Sequence, residues 1–254
     1  MVNLEAAIEA VKRARWYHAF ELLPGLVTPG TLPVAASQHC DFHGIARDLS
    51  GKTALEIGTM DGPMAFELEK RGARVTAVDI QDPSHTGFDT AKAILGSNVR
   101  YVRGSVYQLP ELLPGEKFDI VLFLGVFYHL KNPILAFERI SQVLRDEQSE
   151  LFIEGECLLN YVEDIDGQPM ASPPLEFLTS DRVGLALYYP GKYKGDDSNW
   201  FVPNLACLKG WLSAVGLDLK RHAVLSRIQE PLPLQRVGGM ARLVGPPPIE
   251  YPTP

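Results

Sequence analysis

Apolar and polar positions are patterned most clearly over residues 53–80, TALEIGTMDGPMAFELEKRGARVTAVDI. Thr53 to Ile57 is a short apolar run of the kind that makes a strand buried on both faces. Gly58 and Gly62 bracket a tight turn. The missing Cβ at Gly58 lets a ligand approach the backbone, and at Gly62 it lets the next helix start against the strand. Ala65 and Leu68 lie about one helical turn apart, and Gly72 closes that helix. Val75 to Val78 makes a second strand with Asp79 at its carboxyl end. A carboxylate roughly 20 residues after a glycine turn can accept hydrogen bonds from both ribose hydroxyls of a nucleoside.

The same alternation continues on both sides of this stretch. Leu4, Ile8 and Val11 have helical spacing, with Lys12, Arg13 and Arg15 near the end where cations suit the helix dipole. WYHAFELLPGLVTPG (16–30) is broken twice by Pro-Gly and reads as an ordered arm. Trp16 and Phe20 would pack on the core, while Tyr17 and His18 stand between packing and a place at the edge of a ligand pocket. QDPSHTGFDTAKAILG reads as a loop and a helix, and Val99 to Val102 as a third strand followed by Gly104, Ser105 and Val106. Ile120 to Leu124 is a fourth buried strand, broken by Gly125, and Pro133 opens a helix whose apolar face is Ile134, Phe137, Ile140 and Leu144.

Tyr128 and His129 fall between that strand and that helix, at the carboxyl edge where open α/β sheets bind ligands. An imidazole there is suited to taking a proton near neutral pH; the alternative is that Tyr128 packs and His129 orients the loop. LFIEGE (151–156) is the fifth strand, and its alternation puts Glu154 and Glu156 on one side. Residues 157–204, with Tyr161, Tyr188, Tyr189 and Tyr193, read as a loop-rich insertion capping a site. Within it EDIDG lacks the spacing of a calcium loop and reads as a solvated acidic turn. NWFVPN leads into a helix carrying Leu205, Leu208, Leu212 and Val215, ended by Gly216. A hairpin over about 218–227 and 237–244 would finish the sheet antiparallel, and GPPPIEYPTP reads as an extended tail. The segments are therefore 1–50, 51–156, 157–204, 205–245 and 246–254.

Composition narrows the classes. Of the 254 residues 46% are hydrophobic and 22% charged, as in a soluble globular chain. No apolar run is long enough for a bilayer, and the first residues lack the apolar stretch of a signal peptide. Cys40, Cys157 and Cys207 are widely spaced and odd in number, which points to a reducing cytoplasm. His39, Cys40 and His43 cluster without a second ligand set, so no metal is expected. The net charge of −7 does not favour nucleic acid.

The turn EIGTMDG resembles the acid-x-Gly-x-Gly-x-Gly turn of class I S-adenosylmethionine (SAM) methyltransferases. That resemblance implies a Rossmann-like α/β fold with a mostly parallel seven-stranded sheet, an N-terminal arm and a capping insertion. It implies SAM as cofactor, held by Glu56, Gly58, Thr59, Gly62, Asp79, Ile80, Ser105, Val106, Leu124 and Gly125. Glu56 stands where the family keeps an acid facing the amino-acid end of SAM. Met60 replaces the middle glycine that a dinucleotide pyrophosphate would need, and Ser105 stands where the family often presents an acid to the adenine amine.

Over most of residues 16–216 the chain is also similar to a bacterial group related to the tRNA wobble-uridine carboxymethyl-transfer enzymes. The similarity is carried by WYHAFELLPGLVTPG, GKTALEIGTMDGPMAFELEKRGA, GVFYHLKNP and NWFVPNLACLKGWLSAVGL. It implies that Tyr128 faces the transferred group and that NWFVPN lies over the site. Those enzymes hold the extra carboxylate of a carboxylated SAM with a lysine and aromatics before the first strand, and carry an N-terminal region for tRNA. HCDFHGIARDLSGK offers no equivalent lysine, and an unpaired carboxylate in a closed site is costly. Ordinary SAM and a small polar acceptor fit better: O-methylation of a hydroxyl, with His129 and Tyr128 catalytic and Tyr17, His18, Glu156, Tyr193, Asn199 and Trp200 around the acceptor. The alternatives are a tRNA substrate and a SAM-fold protein that binds without turnover; a homodimer is compatible with any of them.

Overall fold

The computed structural model describes residues 3–170, 174–225 and 236–245. The chain falls into two compact units, Met1–Leu122 and Phe123–Pro254. No helix among the described residues is long and apolar enough to cross a membrane.

The first unit begins with α1 (Leu4–Arg13), started by the Asn3 side chain, which accepts from the amides of Glu5 and Ala6. Its buried residues are Ala7 and Val11, whereas Leu4 is half exposed. The apolar spacing therefore overstated the packed face, which includes the small Ala7 in place of Leu4. The arm folds into short ladders. β1 (His18–Ala19) pairs parallel with β4 (Leu32–Pro33), and β2 (Glu21–Leu23) pairs antiparallel with β3 (Leu26–Val27). Gly30 has to be glycine, since a Cβ would lie 2.2 Å from the His18 carbonyl group. Trp16 seats on Gly87, where a Cβ would meet its ring at 2.2 Å, and its indole N–H donates to the Val11 carbonyl at 2.8 Å.

After α2 (Ala36–His43) come β5 (Thr53–Ile57), α3 (Pro63–Lys70), β6 (Arg74–Asp79), α4 (Phe88–Leu95), β7 (Arg100–Arg103), α5 (Leu109–Leu112) and β8 (Ile120–Leu124). All five residues of β5 are buried, as its continuous apolar run requires. It pairs parallel with both β6 and β8, and β6 pairs parallel with β7. The third strand lies one residue later than its apolar pattern suggested.

In the second unit α6 (Pro133–Ser141) is capped by Asn132, and β9 (Glu150–Glu156) is buried along nearly its whole length. The insertion is not loop alone. It contains β10 (Val162–Glu163), β11 (Pro169–Met170), α7 (Leu175–Leu178), β12 (Ala186–Tyr188) and β13 (Phe201–Pro203). Leu158, Leu178, Tyr189, Tyr193 and Val202 form a core of its own. Asn204, fully buried, starts α8 (Leu205–Ser213) by accepting from Cys207 N–H and also ties Leu185 and Val183 by hydrogen bonds of 2.9 Å. β14 (Leu217–Leu225) and β15 (Arg236–Leu243) are the expected antiparallel pair, and β15 also pairs antiparallel with β9. The hydrogen-bonded order of the seven-stranded sheet is β14-β15-β9-β8-β5-β6-β7. Residues 226–227 of the expected hairpin and the tail 246–254 lie outside the described residues.

Candidate functional site

In the first unit the turn after β5 is built from left-handed backbone. Gly58 has φ +79 and Gly62 +90. A Cβ on Gly62 would stand 2.6 Å from Phe66 and 2.8 Å from Phe88, so this glycine brings α3 against its neighbours. Met60, in place of the family's middle glycine, is held at φ +51. A non-glycine residue there carries about 1 kcal/mol or more of strain. Its N–H donates to Asp79 Oδ2 at 2.8 Å, and Gln81 N–H donates to Asp79 Oδ1 at 2.9 Å. Each Asp79 oxygen thus has one backbone donor and retains a lone pair for a ligand hydroxyl. Ile80, next along, exposes 63% of its surface, which gives an apolar plate beside that acid.

Glu56 is buried, and burial pushes its carboxyl up to about 8 despite the Thr59 hydroxyl, which donates to it at 2.6 Å. At neutral pH it is mostly a neutral acid. Ser105 spends its hydroxyl on capping: it accepts from Tyr107 N–H at 3.3 Å in a box closed by Gln108, with Val106 buried behind it. In this unit the sequence pattern gives no sign of Asp61. It is 1% exposed and accepts from the amides of Tyr17 and His18 and from His18 Nδ1. Tyr17 and His18 are therefore joined to the glycine turn through a side chain of the turn itself.

In the second unit Gly125 follows β8 at φ +73, its N–H donating to the Glu154 carbonyl at 2.8 Å; Leu124 before it is half-buried. Tyr128 and His129 sit on a single 3-10 turn, Phe127–His129. Gly155 in β9 admits that turn, since a Cβ there would lie 2.4 Å from Phe127 and 2.9 Å from Tyr128. Arg236, directly opposite Glu156 in the β15–β9 register, donates from Nε and Nη2 to Glu154 Oε1 at 3.2 and 2.9 Å. Its Nη1 donates to the Tyr128 hydroxyl at 3.1 Å and stands 3.5 Å from Glu156 Oε1.

His129 Nδ1 lies 2.9 Å from Ser198 Oγ, which donates its own proton to Asp196 Oδ1 at 2.6 Å. The hydroxyl proton being spent on Asp196, Ser198 accepts from His129, which fixes the ring proton on Nδ1 and leaves the Nε2 lone pair available. Burial, with Arg236 nearby, holds the imidazole below its usual range, and Asp196 opposes this.

The remaining acceptor-side candidates separate. Tyr193 is 2% exposed, stacks on Tyr189 at 4.1 Å and gives its hydroxyl to Glu163. It serves the core of the insertion. Glu163 is buried, which corrects the expectation that EDIDG is merely solvated: only Ile165 and Asp166 are exposed. Asn199 donates to the Tyr193 carbonyl at 3.0 Å, and Trp200 receives Lys131 over its ring at 4.7 Å while its N–H donates to the Tyr128 carbonyl at 2.8 Å. Ser198, Asp196 and Arg236 carried no short-range signal, because their partners are up to 108 residues away.

Residues 55–149 match the methyltransferase domain family. The tRNA U34 carboxymethyltransferase of Aeromonas hydrophila is 29% identical over 173 residues, covering 66% of this chain and 45% of that protein. That of Campylobacter concisus is 28% identical over 165 residues, covering 65% and 49%. The chain spans about half the length of the curated relatives it matches. Among solved structures, the N-terminal domain of EvdMO1 with S-adenosylhomocysteine bound has a TM-score of 0.61 at 15% identity, over 96% of this chain and 98% of that one. The 1,6-didemethyltoxoflavin-N1-methyltransferase of Burkholderia thailandensis has a TM-score of 0.54 at 20% identity, over 83% and 77%. A S-adenosylmethionine dependent methyltransferase of Mesorhizobium loti has 0.59 at 14%, over 82% and 98%.

Proposed function

With a methyltransferase domain over residues 55–149 on a Rossmann-like fold as the premise, we propose that the protein transfers a methyl group from SAM to a hydroxyl of a small polar acceptor. The observation that carries the cofactor half is Asp79, tied to the glycine turn by the Met60 N–H and to its own strand end by the Gln81 N–H, with a lone pair left on each oxygen. Asp79 takes the ribose hydroxyls, Ile80 and Val106 flank the adenine, and Glu56 receives the ammonium of the amino-acid end. The sequence match and the fold of SAM-dependent neighbours support this assignment.

Bound SAM supplies a methyl carbon already activated by its sulfonium sulfur. The protein then has to hold the acceptor oxygen in line and remove its proton. His129 is assigned that proton: Nε2 is the free nitrogen, and the depressed imidazole is neutral at pH 7. Tyr128, polarised by Arg236, orients the acceptor. With SAM bound, the cofactor would supply the electrophilic methyl group, Tyr128 would orient the acceptor hydroxyl, and His129 Nε2 would take the hydroxyl proton.

Calorimetric titration with SAM, with carboxylated SAM and NAD in parallel, tests the cofactor. One SAM site per chain with NAD silent is expected; absence of SAM binding overturns the reading. His129→Ala should cut turnover about 100-fold with SAM affinity nearly unchanged, and equal turnover removes His129 from the reaction. A tRNA acceptor is a second reading, favoured by the curated relatives. It predicts preference for carboxylated SAM and RNA binding that weakens steeply with salt.

A further inference from the structure

Among the described residues, the ion pairs of the second unit's polar cluster join three carboxyl groups, Glu154, Glu156 and Glu163, to two cations, Arg236 and Lys194. Both cations reach Glu156, Arg236 at Oε1 and Lys194 at a distance, but their hydrogen bonds go mainly to other partners. Arg236 gives Nε and Nη2 to Glu154 and Nη1 to the Tyr128 hydroxyl. Lys194 is pinned by its backbone at φ +52, by its N–H on the Ile165 carbonyl at 3.0 Å, and by the bare face of Gly167 against its stem. From there Nζ reaches Glu163 Oε2 at 3.0 Å but stays 3.7 Å from Glu156 Oε2. Glu156 is 8% exposed, and its Oε2 is buried with no hydrogen-bond donor among the described residues. Burial raises its pKa above the usual carboxylate range, against the pull of Lys194 and Arg236.

A buried acceptor oxygen without a donor is unfavourable until something supplies one. We infer that Glu156 Oε2 receives a protonated amine on the methyl acceptor, so that the substrate is an amino alcohol and not an acid. This rests on the methyltransferase reading and narrows its substrate class. An ammonium brings the donor that the oxygen lacks and a further positive charge to the three carboxyls. A carboxylate would add a fourth acid where both cations are already engaged. A neutral hydroxyl would supply the donor without the charge.

Three two-carbon probes that share one hydroxyl test this on the full chain saturated with S-adenosylhomocysteine: ethanolamine, ethylene glycol and glycolate, titrated by ligand-observed NMR. Ethanolamine should bind about tenfold tighter than either other probe, a difference of one charged contact. Glu156→Gln should erase that preference while S-adenosylhomocysteine affinity stays within about twofold. Lys194→Asn removes the competing cation with a residue that tolerates left-handed backbone, and should strengthen ethanolamine binding several-fold, a gain that misfolding cannot mimic. Glycolate binding as well as ethanolamine, an unchanged preference in Glu156→Gln, or no probe binding at about 100 mM each overturns the inference. Should S-adenosylhomocysteine itself not bind, the methyltransferase reading fails separately, and the ethanolamine preference is judged on the bare chain.

Discussion

The two units hold their polar groups in opposite ways. In the first, the donors to Asp79 and Asp61 are mostly main-chain amides of a short turn and arm, with the His18 ring the one side chain among them. In the second, Glu154, Glu156, Tyr128 and Arg236 are long side chains from separate strands and loops, brought together by the sheet register. Backbone donors cost no side-chain entropy and tolerate change at the surface. A buried charge network is all or nothing, because removing one member strands the others.

The largest test of that contrast is Arg236→Met. It leaves two buried carboxyls without their shared cation, and a loss of about 3–5 kcal/mol is expected. Calorimetric melting should fall by roughly 10 °C in a chain of this size, with partial recovery when Glu154→Gln is added. A loss under about 1 kcal/mol would mean the cluster is solvated and the contrast false. Next in size, Asp79→Ala should weaken SAM by about 2–3 kcal/mol while melting changes little, since the main-chain donors it frees lie near the surface of the turn.

The third test is a proton count. Glu56, raised to about 8 from an ordinary value of 4.5, favours the neutral acid in the folded chain. Its contribution to stability is therefore full below pH 4.5 and is lost as pH rises through about 8. A bound ammonium reverses that preference. SAM binding at pH 7 should expel about one proton per site, read from the dependence of binding enthalpy on buffer ionisation and absent in Glu56→Gln. Smallest is Met60. Met60→Gly relieves the left-handed strain but loosens the unfolded chain, so stability should stay within about 1 kcal/mol. Met60→Ile, branched at a positive φ, should cost about 2 kcal/mol or more.

The contrast also governs what could be read from the chain before folding. Gly58, Gly62 and Asp79 are legible because a turn needs glycine at left-handed positions and a strand end needs its acid at a fixed distance. β5, β8 and the β14–β15 pair follow from apolar runs for the same local reason. Arg236 was invisible, since only the register of β15 on β9 brings it to Glu154, 82 residues earlier. Ser198 and Asp196 give no pattern either; their role exists only because His129 folds onto them. Tyr193 shows the reverse error, an aromatic in an insertion that closes on its own core instead of opening to a ligand. The acid in EDIDG misleads similarly, because Glu163 is buried by a tyrosine and a lysine about 30 residues on.

Trp16 on the face of Gly87 makes the protein an optical instrument. The chain has three tryptophans: Trp16 in the first unit, and Trp200 and Trp211 in the second. Trp16→Phe leaves emission from the second unit alone, and the difference from the parent isolates the arm. Trp200, with Lys131 over its ring and Tyr188 stacked at 6.3 Å, gives that residual signal its own quenching environment. Ligand arrival at either unit can thus be timed by its own colour, without attaching a dye.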